Sequence, residues 1–145
     1  MATITANIEI NSDIMGSMPV AISEEATLTK AGSNTGLAET TGLARAKFET
    51  TTATDLITYA NVVGITNGNA CKVYIKNTSS DTSQYVQISI GNTGGTPIEV
   101  GRLYGGAGGN GDWMFFPWIG GTNEDIVVDP STTDPVVLEY MIFFE

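Results

Sequence analysis

The chain contains no histidine and one cysteine, Cys71, and its six lysines and arginines stand against sixteen aspartates and glutamates. A single cysteine excludes an intramolecular disulfide framework and any cysteine-based zinc site. The missing imidazole removes the commonest metal ligand and the commonest general base. The formal charge of −10 repels phosphate, whose contacts supply most of the affinity for nucleic acid, so neither DNA nor RNA is expected as a partner. Attachment to an anionic membrane surface uses runs of Lys and Arg, and there are none. Long apolar runs are missing as well. Met114–Ile119 and Val136–Phe144 fall far short of the roughly 20 residues that span a bilayer, and Glu139 breaks the second. No cation precedes Lys30, so neither a secretory signal nor a transit peptide is expected.

Strong helix formers are scarce, whereas Thr, Gly, Asn and Ser together make up 56 of 145 residues. Thr favours strands, and Gly, Asn and Ser favour the turns between them. The length suits one domain, 1–145, with 1–30 an extended N-terminal strand segment open to exchange between copies. In Thr3–Ile10 the residues Ile4, Ala6, Ile8 and Ile10 alternate with Thr3, Thr5, Asn7 and Glu9, which is the pattern of a half-buried strand. Further strands are expected in Pro19–Lys30, Leu43–Thr51 and Asp55–Val63. A short helix capped by Thr54 competes over Ala53–Tyr59. Lys72–Lys76 and Tyr85–Ile90 read as a hairpin with a long polar loop. Ile98–Tyr104, Trp113–Trp118, Ile126–Val128 and Val136–Phe144 complete the set. Eight to ten short strands with turn signals between them predict an all-β fold, an antiparallel β-sandwich or jelly roll. Val86, Ile88 and Ile90, with Leu138, Tyr140 and Ile142, are the expected core. The last strand is apolar on both faces, so it lies centrally or packs its outer face on another subunit.

Few residues carry chemistry. Asp125, Asp129 and Asp134 with Glu124 offer calcium-type oxygens, but their spacing matches no EF-hand and they read as residues that end strands and start turns. Glu124 and Asp125 are adjacent, so on a strand they point to opposite faces and do not form a glycosidase pair. Gly105–Gly111 lacks the Lys-Ser or Lys-Thr of a phosphate loop and reads as a flexible hairpin tip. Asn77-Thr78-Ser79 matches a glycosylation acceptor and reads here as a polar turn. Cys71 reads as a small buried hydrophobe. Two readings compete for Trp113–Trp118: core packing, which the alternation of Trp113 and Phe115 against Met114 and Phe116 favours, and a sugar-stacking platform. No catalytic residue, cofactor or metal is assigned.

Met1–Thr5, Cys71–Ser79, Tyr85–Ile90, Asp112–Trp118 and Leu138–Glu145 resemble the small virion structural proteins of tailed bacteriophages, notably phages of aquatic bacteria and cyanobacteria. The likeness is one of pattern over most of the chain. It implies a β-sandwich without catalytic residues, made in the host cytoplasm and carried on the virion. The role implied is a capsid decoration (cement) protein on the outer surface of the head, bound to the major capsid protein. A tail or fibre component that binds glycans is the alternative. Acidity favours the outside of the shell over the DNA-filled lumen. A homo-oligomer is expected because so many apolar positions exceed what one small sandwich hides, and the resemblance favours a trimer. Ile4, Ile8, Trp113, Phe115, Trp118, Met141 and Phe143 are the candidate interface residues.

Overall fold

A computed structural model describes residues 3–12, 20–29, 35–65 and 68–145. Eleven strands are formed among them: β1 (Thr5–Ser12), β2 (Val20–Thr27), β3 (Glu39–Thr40), β4 (Ala44–Phe48), β5 (Thr54–Ile57), β6 (Asn69–Asn77), β7 (Tyr85–Gly91), β8 (Ile98–Tyr104), β9 (Trp113–Gly120), β10 (Asp125–Pro130) and β11 (Val136–Phe144). Helix among the described residues is limited to single 3₁₀ turns at Tyr59–Asn61 and Ala107–Gly109.

The last eight strands pair in nested fashion, β4 with β11, β5 with β10, β6 with β9 and β7 with β8, all antiparallel. Two further pairings, β11 with β6 and β10 with β7, assemble them into two sheets. One sheet runs β4-β11-β6-β9 with β3 added beside β11, and the other runs β5-β10-β7-β8. This is a jelly roll: a long hairpin of four strand pairs rolled until its pairs divide between two facing sheets. Alternate residues of both sheets fill the space between them. Val73, Ile75, Val86, Ile88, Ile126, Val128, Val136 and Leu138 are fully buried there. Tyr140 and Ile90 pack against this core at its margin. Strand β11 is central in its sheet and β10 central in the other, where Ile126, Val127 and Val128 are all buried.

Two local expectations are corrected, and a third is narrowed. Strands β6 and β7 do not form a hairpin, because β6 pairs with β9 and β11 while β7 pairs with β8 and β10. The loop between them crosses from one sheet to the other. The strand expected over Asp55–Val63 forms as Thr54–Ile57 by pairing with β10, which outweighs the competing helical spacing, but it ends there and a lone 3₁₀ turn follows at Tyr59. Gly105–Gly111 is likewise a crossover from β8 to β9 and is packed. Gly106 N–H donates to the Ser79 carbonyl at 2.9 Å. A Cβ at Gly105 would lie 2.2 Å from the Asp81 carbonyl oxygen, and one at Gly111 would lie 2.4 Å from that of Asn77. These glycines are needed for close backbone approach and not for flexibility.

Strands β1 and β2 form a separate two-stranded sheet, in register from Thr5 opposite Thr27 to Ser12 opposite Val20. Its base is tied to the jelly roll through the following segment. Leu28 N–H donates to the Ile4 carbonyl, Leu37 N–H to the Leu28 carbonyl, and Ala38 N–H to the Phe144 carbonyl. Leu28 and Leu37 are both buried.

Candidate functional site

An antiparallel sheet with one face on the core ordinarily presents polar residues on the other. The β4-β11-β6-β9 sheet does not. Because Met114, Phe116 and Trp118 turn toward the core, period-two alternation sends Trp113, Phe115, Pro117 and Ile119 outward. On β6 the same rule puts Val73 and Ile75 inside and Lys72, Tyr74 and Lys76 outside. On β11 it leaves Val137, Glu139, Met141 and Phe143 outside.

The register arranges these side chains in rows. Arg45, Glu139, Lys76 and Trp113 are successive cross-strand neighbours, as are Met141, Tyr74 and Phe115 in the next row, and Phe143, Lys72 and Pro117 in the one after. Tyr74 and Trp113 lie with ring centroids 6.3 Å apart, and Phe115 meets Phe143 edge to face at 5.9 Å. The outer face is therefore a second apolar layer. Arg45 Nε donates to Glu139 Oε1 at 2.8 Å at its margin. Burial and the nearby Glu139 carboxylate both push the Tyr74 phenol above its ordinary pKa, so Tyr74 is a neutral hydrogen-bond donor and acceptor in this layer.

The base of the β1–β2 hairpin stands over this layer. Ile4 just before β1, Ala6 and Ile8 of β1, and Leu28 line a groove of about 440 Å³ against Tyr74, Lys76, Trp113, Phe115 and Phe143. A second, more polar cleft of about 580 Å³ shares Lys76 and Trp113 with the groove and is lined as well by Arg102, Asn110 and Asp112. There Arg102 is committed to Glu99, whose Oε1 accepts from its Nε at 2.9 Å, and it lies 5.1 Å from the Tyr85 ring centroid.

Of the seven candidate interface residues, six come together on this layer or its hairpin cover: Ile4, Ile8, Trp113, Phe115, Met141 and Phe143. Trp118 does not belong to it. It is 2% exposed in the core, and its indole N–H donates to the Glu124 carbonyl at 2.6 Å. The core reading holds for Met114, Phe116 and Trp118, but Trp113 is 54% exposed. Tyr74 and Lys76 were missed, although the alternation of Lys72, Tyr74 and Lys76 with Val73 and Ile75 carried the signal.

The other candidates resolve structurally. Asp125 is buried, and its Oδ1 accepts the Tyr59 N–H at 2.9 Å. No three potential metal ligands gather among the described residues. Asn77 is wholly buried, and its side-chain amide donates to the Leu103 carbonyl at 3.0 Å, which leaves it no role as a glycosylation acceptor. No protein-family model matches the chain, and no curated protein matches it at a significant level.

Proposed function

We propose that the protein is a virion structural protein of the capsid decoration type, bound to the outside of a phage head shell through apolar burial and without catalytic activity. The observation that carries this reading is the outer aromatic layer of the β4-β11-β6-β9 sheet, held partly open by the hairpin. An apolar layer on the solvent side of a small sandwich serves protein contact better than it serves the isolated chain. The jelly roll is compatible, being an architecture common among viral capsid and lectin domains, although a fold alone does not assign a function. Acidity favours the exterior of a DNA-filled shell. The test is addition of the purified protein to heads stripped of their decoration, followed by co-sedimentation and by quantitative mass spectrometry of intact virions. Stoichiometric binding and a copy number matching the capsid symmetry positions are expected. A handful of copies and no shell binding would reject the reading.

One observation favours a second reading, a glycan-binding tail component. The exposed Trp113 ring borders the polar cleft with Lys76, Arg102, Asn110 and Asp112, a combination of stacking face and hydrogen-bonding groups that suits a pyranose. Quenching or a blue shift of tryptophan fluorescence on titration with host surface polysaccharide, abolished in Trp113→Ala, would support it.

A further inference from the structure

The β1–β2 hairpin presents a physical problem. Two strands alone are marginally stable in water, and three or more strands or a packed neighbour are needed to hold such a unit. The hairpin is paired over eight residues, yet only its base is anchored. Residues directly opposite each other share a face, so Ala6 with Ala26, Ile8 with Glu24 and Ile10 with Ile22 form one stripe. Ile8 borders the groove, whereas Ile10 and Ile22 do not, and they are 51% and 42% exposed. Among the described residues, the outer half of the stripe thus lines no groove of its own chain.

Charge says what does cover it. The two hairpin strands carry Glu9, Glu24 and Glu25 and no cation, with Glu24 on the isoleucine stripe and Glu9 and Glu25 on the opposite face. Four of the six cations of the chain, Arg45, Lys47, Lys72 and Lys76, lie on the outer face of the β4-β11-β6-β9 sheet. Glu139 pairs with Arg45 and Glu49 with Lys47, whereas Lys72 and Lys76 enter no ion pair among the described residues. With a net charge of −10, two copies repel each other in most orientations. The approach of an acidic hairpin to this basic sheet face is the exception, and electrostatic complementarity of that kind selects register and partner. Glu24 sits within the isoleucine stripe and Lys76 at the edge of the groove, so the apolar and charged features match together.

We propose that the occupant of the groove is a second copy of this chain: the outer half of one hairpin seats on the basic aromatic sheet face of the next copy. The contact joins two different surfaces and is therefore head to tail, which closes into a ring where the rotation permits. It requires no shell, and it stands or falls separately from the decoration reading.

The test is sedimentation velocity of the full-length chain over a wide concentration range, at low and high salt. Wild type is expected to self-associate, less tightly at high salt. Ile10→Lys with Ile22→Lys is expected to sediment as a monomer, with circular dichroism and melting unchanged because neither side chain contributes to the jelly-roll core. Lys72→Glu with Lys76→Glu is expected to weaken association about tenfold or more, and adding Glu24→Lys to that variant is expected to restore part of it. A wild type that stays monomeric throughout overturns the proposal, because the hairpin then closes on its own sheet or waits for another partner. An oligomer insensitive to both sets of substitutions overturns it too. So does a hairpin variant that still self-associates but no longer binds stripped heads, which would assign the stripe to the shell.

Discussion

Asn77 shows how one polar side chain can hold several loops. Its amide donates to the Leu103 carbonyl, its Oδ1 accepts the Ser79 N–H at 2.9 Å, and its backbone N–H donates to the Asp112 carbonyl at 3.0 Å. The end of β6, the end of β8 and the glycine-rich crossover are thereby fixed to one another. Asn77→Ala leaves donor and acceptor groups unmatched, and a loss of about 1–3 kcal/mol in urea unfolding is expected. Gly111→Ala is expected to destabilise the same junction, since the added methyl meets backbone. Cys71 is buried, and burial pushes its thiol above the ordinary value, so little thiolate forms at neutral pH. Thiol-reagent labelling should therefore be negligible in the native protein and complete in denaturant, and fast native labelling would contradict this burial. On the surface, Ser83 donates its N–H and its hydroxyl to Asp81 Oδ1 at 2.8 and 2.7 Å, which holds that carboxyl below its ordinary range. A depressed carboxylate stabilises the fold above its unfolded-state pKa and loses that contribution as pH falls through the folded value. Ser83→Ala should return the Asp81 titration, followed by NMR, toward the ordinary range.

At the level of strands, alternation is what the chain states most plainly. Val86 and Ile88 on β7, and Leu138 and Ile142 on β11, all face the core as their period-two spacing requires. Ile88 is fully buried opposite Val128, and Ile88→Ala is expected to cost about 2–5 kcal/mol in urea unfolding. An undiminished midpoint would place β7 in the opposite register. The same alternation carried through Trp113–Gly120 puts Trp118 on the face opposite Trp113, which is the core face. What alternation cannot state is which sheet a strand joins. Tyr85–Ile90 follows Lys72–Lys76 after a long polar loop whether the two strands pair or part, because the choice is made by partners as distant as Pro130 and Phe143. The solvent side of a sheet is equally opaque. Alternation sets Tyr74, Phe115 and Phe143 apart from their core-facing neighbours, but only the register reveals that they gather into one outer layer. A glycine run is ambiguous for the same reason, since flexibility and close packing call for the same residue.

Across the whole molecule, nesting orders the folding reaction. Tyr85 faces Tyr104 across the innermost pair, Lys76 faces Trp113 across the next, Ile57 faces Ile126 across the third, and Phe48 faces Val136 across the outermost. Each pair closes a longer loop than the one inside it. Loop closure becomes costlier with length, but only by the residues not already fixed, so zipping from β7–β8 outward avoids ever closing a long free loop. Joining β4 to β11 first would require ordering nearly the whole roll at once. The inner pair therefore belongs in the folding nucleus and the outer pair does not. Most contacts remain distant in sequence even along this route, and folding in milliseconds to seconds is expected for such a topology. Val86→Ala, in the inner pair, should slow refolding in proportion to the stability it removes, whereas Phe48→Ala, in the outer pair, should leave refolding nearly unchanged and accelerate unfolding. Both side chains are buried, so both substitutions perturb stability enough for the comparison in stopped-flow chevrons. If Phe48→Ala slows refolding and Val86→Ala only accelerates unfolding, the roll closes from its ends, and the nested order describes the finished fold without describing its assembly.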